Sequence, residues 1–184
     1  MNQVEEKIEQ PMDNSQITQY LKNAKIITNK DLLNYKRIED VFNPENKRDF
    51  IDYVIILFLD SPNSGHWCCL NRMGGNLEFF DSYGGTPDKV YNYCPMKRRR
   101  MLGTQENYLT KLLNEYDGNV IYNPIKYQED KQDVNTCGRH CCYRIINMFG
   151  RGQDLNEYYD FMKYAKNKMG YKNFDEVVAD LINL

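Results

Sequence analysis

The sequence lacks any long hydrophobic run and any hydrophobic leader. Its longest apolar stretch, Tyr53–Leu59, is far too short to cross a bilayer, which takes about 20 apolar residues in a helix. The first ten residues are polar and acidic, unlike a signal peptide. We therefore expect a soluble protein that makes no membrane contact and is made in a reducing compartment.

Net charge is low, and histidine is scarce. A formal charge of −2 argues against a general nucleic-acid binder, and 41% apolar residues argue against a disordered chain. The one basic run is Lys97-Arg98-Arg99-Arg100. Weak contact with nucleic acid or with an acidic precursor is one interpretation of it, and simple solvation is the other. His66 and His140 are the only histidines, so any imidazole chemistry has to use one of these two.

Cysteine is present, but not in the pattern of a disulfide scaffold or a zinc knuckle. The six cysteines form two adjacent pairs and two single residues: Cys68, Cys69, Cys94, Cys137, Cys141 and Cys142. No C-x-x-C motif occurs, and neighbours on a strand point to opposite faces, so Cys68 and Cys69 cannot easily share an ion. The crowding of His140 with three cysteines keeps structural zinc as a minor alternative. We expect no metal and no other cofactor.

Periodicity and turn signals predict an α+β protein. We expect residues 1–12 to form a flexible tail and residues 13–184 to form a single domain. Apolar runs on both sides of Gly74-Gly75 predict an antiparallel meander. The predicted strands are 53–60, 66–72, 76–82 and 120–128, and the predicted helices are 16–23, 31–35, 104–114, 137–149, 155–168 and 174–182. The segments 40–48 and 94–102 are expected to be irregular.

Cys137 is the cysteine whose place suggests chemistry. It opens a predicted helix, after Asn135 or Thr136 as the cap and before Gly138, which lets a substrate backbone approach. Amides at a helix N-terminus and the helix dipole favour a thiolate, which lowers a thiol pKa from its usual value of about 8.5. The same amides can bind an oxyanion. The competing interpretation is a small cysteine buried in a helix.

His66 and Asp81 are expected to meet across the predicted hairpin. His66 begins one strand and Asp81 ends its partner, so the Gly74-Gly75 turn brings the two positions together. A carboxylate beside an imidazole orients a general base. A solvated histidine and a turn-forming aspartate are the plainer alternatives. Together with Cys137, the two residues predict a Cys-His-Asp triad.

The order of these motifs resembles a known protease clan. The motifs are Gly65-His66-Trp67, Phe80-Asp81-Ser82-Tyr83-Gly84, Gln128 and Asn135-Thr136-Cys137-Gly138-Arg139-His140. They look like the proteases of SUMO and ubiquitin-like proteins and the adenovirus endopeptidase, over about residues 15–150. Small size and the Asn-Thr-Cys-Gly-Arg-His run resemble most the maturation proteases of virophages, polinton-type elements and large DNA viruses.

The resemblance implies a fold, a substrate class and a setting. The implied fold is a papain-like core, in which a small mixed β-sheet packs against a central nucleophile helix with flanking helices. The implied reaction is cleavage of capsid or other virion precursors after small residues such as Gly-Gly or Ala-Gly. A monomer in the host cytoplasm or viral factory and in the virion is expected. DNA acts as a cofactor of the adenovirus enzyme, which favours the nucleic-acid interpretation of the basic run.

One departure from the family concerns the oxyanion hole. The family carries a glutamine shortly before the nucleophile, but Asp130 and Lys131 occupy that window here. Gln128 and Gln132 flank it, and Gln128 is favoured because it ends a predicted strand. Loss of such a donor costs on the order of 10²–10³ in kcat.

Three further alternatives stay open. Trp67 either walls the substrate channel or is a core aromatic. His140 lies one helical turn beyond Cys137 and can approach the thiol, but no hairpin carboxylate orients it. For the whole chain, a protease that removes SUMO-like modifiers and a non-catalytic binding module on the same fold are the rival functions.

Overall fold

The computed structural model describes residues 3–43 and 51–183, so residues 44–48 of the predicted loop 40–48 lie outside it. The strands are β1 (Lys25–Thr28), β2 (Tyr53–Leu59), β3 (Gly65–Met73), β4 (Asn76–Phe80) and β5 (Asn119–Tyr122). The helices are α1 (Gln3–Glu9), α2 (Asn14–Tyr20), α3 (Ile38–Val41), α4 (Pro87–Tyr91), α5 (Met96–Leu102), α6 (Tyr108–Asn114), α7 (Cys137–Arg151), α8 (Leu155–Met169) and α9 (Phe174–Leu181). A single 3-10 turn spans Asp31–Asn34. The protein is therefore α+β, as predicted. Among the described residues, no helix combines the length and apolarity that crossing a membrane requires.

The predicted meander is present in strands β2, β3 and β4. They are antiparallel, and β3 pairs with β4 in a register that joins Met73 to Asn76 and Cys69 to Phe80. Gly74-Gly75 is therefore a two-residue turn, and Gly74 takes the positive φ of 61° that glycine adopts without strain. The length of this turn fixes the register of β3 on β4.

The sheet has two parallel edge strands, so it is mixed and runs in the order β1-β2-β3-β4-β5. The sequence did not predict β1, which has only four residues and depends on pairing with β2. The sequence also predicted a strand over 120–128, which is longer than the observed β5. The strand ends at Tyr122 because Pro124, which has no N–H to donate, follows almost at once.

The chain forms two compact units. The sheet unit comprises residues 23–81 and 85–123, and the helical unit comprises residues 1–22, 82–84 and 124–184. The sheet unit buries one apolar cluster between its sheet and its own helices. That cluster includes Val54, Ile56, Phe58, Cys68, Leu70, Phe79, Val90, Leu109 and Leu113. Each unit draws on separate stretches of chain, which local patterns do not reveal.

The helical unit is built from α1, α2, α7, α8 and α9. Helices α2 and α8 begin with capping boxes at Asp13 and Asp154, and α9 begins with Asn173 as its cap. Helix α7 runs two residues beyond the expected end because Gly152, with a φ of 68°, supplies the left-handed cap instead of Gly150. Residues on nearly every side of α7 are buried.

Part of the predicted flexible tail, residues 1–12, is helical. Residues Gln3–Glu9 form helix α1. The backbone N–H of Asn135 donates to Ile8 O at 2.9 Å, and its side-chain amide donates to Glu9 O at 2.8 Å. Hydrogen bonds to backbone carbonyls help to hold this segment, and composition gives no sign of such bonds.

The segment 94–102 was expected to be irregular. That prediction is wrong, because Met96–Leu102 is helix α5. Arg99 of the basic run is buried, donates from Nε to Thr104 O at 2.9 Å, and lies over the Tyr91 ring at 4.1 Å. The predicted helix 104–114 begins only at Tyr108, and the backbone N–H of Thr104 donates to Arg99 O.

Candidate functional site

His66 and Asp81 form a close pair in the sheet unit. His66 Nε2 lies 2.6 Å from Asp81 Oδ1, the length of a strong hydrogen bond. The Asp81 carboxylate is fully buried, whereas 13% of the His66 side chain is exposed. The register of β3 and β4 brings Asp81 beside Cys68, one pleat from His66, so the hairpin itself produces the predicted neighbourhood.

Asn123 and Gly65 support the backbone on either side of the His66–Asp81 pair. The Asn123 side-chain amide donates to the Asp81 carbonyl at 2.7 Å, and the Asn123 N–H donates to Phe79 O. Asn123 was missed in the sequence, where an asparagine before Pro124 indicates only a turn. Gly65 is required because a Cβ there would lie 2.0 Å from the Phe58 carbonyl oxygen of the neighbouring strand.

The surroundings of His66 are aromatic and partly polar. Its ring lies 6.4 Å from that of Tyr93, and both line a cavity of about 30 Å³, room for a single water molecule. Cys94 lines the same cavity. Burial raises the pKa of the Cys94 thiol, even though Arg98 opposes the effect, so Cys94 stays protonated near neutral pH.

Cys68 also belongs to this neighbourhood, and the sequence analysis missed it. Ligand atoms of His66, Cys68 and Asp81 lie within 4.8 Å of one another, and their types suit zinc. The direct His66–Asp81 contact of 2.6 Å argues against a resident ion, since tetrahedral ligands about 2.0–2.1 Å from zinc stand roughly 3.3 Å apart. A residue two positions along a strand shares its face, which is the signal that would have found Cys68.

Cys137 lies in the helical unit as the first residue of α7, where the sequence placed it. It is buried, with 8% of its surface exposed. Thr136 occupies the cap position, but its hydroxyl makes no capping bond to the helix and instead donates to the Asp175 carboxylate. The His140 N–H donates to Thr136 O at 2.9 Å and closes the first turn behind the thiol.

Gln128 belongs to the same unit and is held on both sides of its amide. Its Oε1 accepts from Ser82 Oγ at 2.7 Å, and its Nε2 donates to Val134 O at 3.0 Å and lies 3.3 Å from Tyr83 Oη. Gln128 is almost fully buried, although it does not end a strand as predicted, whereas Gln132 is exposed.

The Asp-Ser-x-Gly motif acquires a structural meaning from this contact. Besides its hydroxyl, the Ser82 carbonyl accepts the N–H groups of Tyr127 and Gln128. Gly84 has a φ of 78°, and a Cβ there would lie 2.9 Å from Ile125 O. Ser82 was part of the quoted motif but was given no role, and the structure identifies it as the residue that orients Gln128.

His140 forms a second histidine–aspartate pair, within the helical unit. Its Nε2 lies 3.1 Å from Asp175 Oδ1, and both side chains are fully buried. Burial disfavours the Asp175 carboxylate, but hydrogen bonds from His140 and Thr136 outweigh it and lower the pKa of Asp175 below its ordinary value. Asp175 was missed because an acidic residue in the first turn of a helix ordinarily indicates only a favourable helix dipole.

The remaining predicted site residues fall in varied places. Trp67 is buried and points to the face of β3 opposite to His66. Gly138 is the buried second residue of α7. In the basic run, Lys97, Arg98 and Arg100 are exposed, while Arg99 is buried as described above.

Comparisons with known proteins give one clear relative. No protein-family model matches the chain. A solved structure, the central domain of the uncharacterized Lpg1148 protein from Legionella pneumophila, is 20% identical over 80% of each chain, with a TM-score of 0.39. The uncharacterized protein V9 of Sputnik virophage is 34% identical over 172 residues, which cover 91% of each chain. The expected viral origin agrees with this relative, and the chain belongs to the family of the Sputnik virophage protein V9.

Proposed function

We propose that this protein is a cysteine endopeptidase in which Cys137 is the nucleophile, His66 the general base and Asp81 the residue that orients the base. The observation that carries the proposal is the 2.6 Å contact between His66 Nε2 and the buried Asp81 carboxylate. A fully buried carboxylate paired with a slightly exposed imidazole is the arrangement that keeps a histidine in one tautomer and one orientation.

Exposure and position favour Cys137 over the other cysteines. Four of them are fully buried, so a peptide carbonyl has no access to their sulfur atoms: Cys68, Cys69, Cys141 and Cys142. Cys94 is as exposed as Cys137, at 8% each, but burial raises the pKa of its thiol. Cys137 alone begins a helix, where backbone amides stabilise a thiolate.

The proposed reaction uses the two imidazole nitrogens differently. Asp81 contacts Nε2, so Nδ1 takes the proton from the Cys137 thiol. The thiolate attacks the peptide carbonyl carbon, and the amine leaves with the proton from Nδ1. Water then attacks the thioester, again giving a proton to Nδ1, and releases the acid and the Cys137 thiol.

The proposed oxyanion donors lie in the helical unit. The Cys137 backbone N–H is one, and the Gln128 side-chain amide, oriented by Ser82, is the other. Gln128 is preferred to Gln132, because Gln132 is exposed and only a held amide can act without reorganisation.

The proposal includes the papain-like arrangement and the substrate class implied by the sequence motifs. Substrates would be capsid or other virion precursors cut after small residues, and the virophage relative supports that setting. Since His66 and Cys137 belong to different units, the proposal requires the thiol to reach the imidazole. Removal of SUMO-like modifiers uses the same groups on another substrate.

Side-by-side incubation with virophage capsid precursors and SUMO-like precursors tests the proposal, with mass spectrometry to locate new termini. We expect cleavage of the capsid precursors, abolished by Cys137→Ala and retained by Cys94→Ala, whose thiol is equally exposed. Cutting by Cys137→Ala would refute the nucleophile. Cleavage of the SUMO-like precursors alone would refute the substrate class.

A further inference from the structure

Asp175 is a fully buried carboxylate that accepts three hydrogen bonds from three parts of the helical unit. The Thr136 hydroxyl and His140 Nε2 both contact Oδ1, and the backbone N–H of Glu129 donates to Oδ2 at 3.0 Å. An ionised carboxylate is acceptor-only, so it suits a place where three donors converge. An amide in its place would turn a donor towards one of them.

Two of these donors, Thr136 and Glu129, are sequence neighbours of Cys137 and Gln128, the residues on which the proposed chemistry depends. Thr136 directly precedes Cys137, and Glu129 directly follows Gln128. The loop 129–136 separates the nucleophile from the oxyanion donor along the chain. Asp175 therefore ties both ends of that loop to one side chain at the start of α9.

His140 takes part in this arrangement as an anchor and not as a base. Its side chain is fully buried, and its Nε2 is already committed to Asp175. Its Nδ1 has no hydrogen-bond partner among the described residues, in surroundings that include the Tyr127 ring at 6.1 Å. A base has to pass its proton to a leaving amine, and a residue without any exposed surface is poorly placed to do so.

We propose that Asp175 is a positioning residue for acyl transfer at Cys137, fixing the thiol and the Gln128 amide relative to each other through Thr136 and Glu129. This inference rests on the proposed function, since it assumes that Cys137 is the nucleophile and Gln128 the oxyanion donor. Asp175 touches neither the substrate nor the reacting atoms.

Two small probes separate positioning from nucleophilicity. Iodoacetamide alkylates a thiolate by direct displacement of iodide, with no oxyanion. p-Nitrophenyl acetate is attacked at its carbonyl carbon. A C–S bond forms, the C–O bond breaks to release p-nitrophenolate, and water then hydrolyses the thioester to acetate and the thiol. Only the second probe needs the oxyanion donors in place, so the ratio of the two rates at Cys137 reports the alignment.

The variants are chosen to keep size while changing the hydrogen bond. Thr136→Val removes the hydroxyl that donates a hydrogen bond to Asp175, and Thr136→Ser keeps a hydroxyl at that position. Asp175→Asn replaces an acceptor oxygen by a donor. Asp154→Asn is the matched control, because Asp154 caps α8 in the same unit through the N–H groups of Asn156 and Glu157 and contacts neither loop end.

We expect Thr136→Val and Asp175→Asn to slow ester turnover at Cys137 by about tenfold to 100-fold, the usual cost of an ångström-scale misplacement. Alkylation of Cys137 should change by less than about threefold, since a helix-start thiolate persists in both variants. Thr136→Ser should restore the ester rate, and Asp154→Asn should leave both rates unchanged. If Asp175→Asn does not fold, the Thr136 pair carries the test alone.

Two failures are distinguishable. If Cys137 of the native protein reacts no faster than Cys94 with either probe, the proposed function fails and the inference falls with it. If Cys137 is selectively reactive but Thr136→Val and Thr136→Ser give the same ratio of ester to alkylation rates, the proposed function stands and the positioning role of Asp175 is refuted.

Discussion

The chain has two histidines, and each is paired with an aspartate in a different unit. His66 in the sheet unit keeps some exposure and has Asp81 at Nε2. His140 in the helical unit has none, and its aspartate also serves Thr136 and Glu129. The Asp81 carboxylate contacts the His66 imidazole. The Asp175 carboxylate contacts His140 and also both ends of the loop 129–136, which leads into helix α7.

The two histidine–aspartate contacts therefore lie in different surroundings, one partly exposed and the other fully buried. In the sequence, His140 lies only three residues after Cys137, the proposed nucleophile. Its full burial and its contact with Asp175 fit the proposed role of that aspartate as support for Cys137. His66 is distant in sequence from Cys137, yet it has the exposure that proton transfer to a substrate needs.

The largest expected effect comes from replacing each histidine in turn, because the two replacements should affect different properties. We expect His66→Ala to lower the rate of precursor cleavage by about 10²–10⁴-fold, the usual worth of a general base, with little change in unfolding temperature. His140→Gln should instead lower the free energy of unfolding by about 1–3 kcal/mol, because it leaves buried groups unpaired. Cleavage kinetics and thermal melts of both variants provide the measurement.

The reverse pattern would contradict this account. If His140→Gln destroyed cleavage in a protein that melts like the native one, while His66→Ala kept its activity, the roles of the two pairs would have to be exchanged.

A smaller effect is expected in the pH dependence of the unfolding free energy. The pKa of Asp175 is lowered in the folded protein from its reference value of 3.8, so its carboxylate stabilises the fold above that pH. This contribution is lost as the pH falls through the lower, folded-state pKa. We expect the difference in unfolding free energy between the native protein and Asp175→Asn to be constant at neutral pH and to shrink below about pH 4.

Urea unfolding between pH 7 and pH 3 measures that difference, with Asp154→Asn as the control for neutralising an exposed carboxylate in the same unit. A difference that stayed constant down to the lowest pH would mean that Asp175 titrates alike in the folded and unfolded states.

Much of the sheet unit's site could be predicted because its signals are local. A two-residue glycine turn sets the register that brings His66 to Asp81. The start of α7 at Cys137 could be predicted for the same reason, since the cap and the apolar stripe are adjacent in sequence.

The rest depends on contacts between distant stretches of chain. Asp175 lies 35 residues from His140, and no sequence period links a first-turn acid to a loop in front of another helix. Helix α1 is held by backbone carbonyls that accept from Asn135, and strand β1 by parallel pairing with β2. The exact length of β5 was missed because the predicted strand was carried across Pro124.

The central claim is that His66 and Cys137 share a proton, and the pH dependence of Cys137 alkylation by iodoacetamide tests it most directly. The account predicts that native Cys137 reacts nearly as fast at pH 6 as at pH 8. It also predicts that His66→Ala shifts the curve towards that of an ordinary thiol, with a pKa of about 8.5. A native curve that coincides with that of Cys94, or one that His66→Ala leaves unchanged, would contradict it.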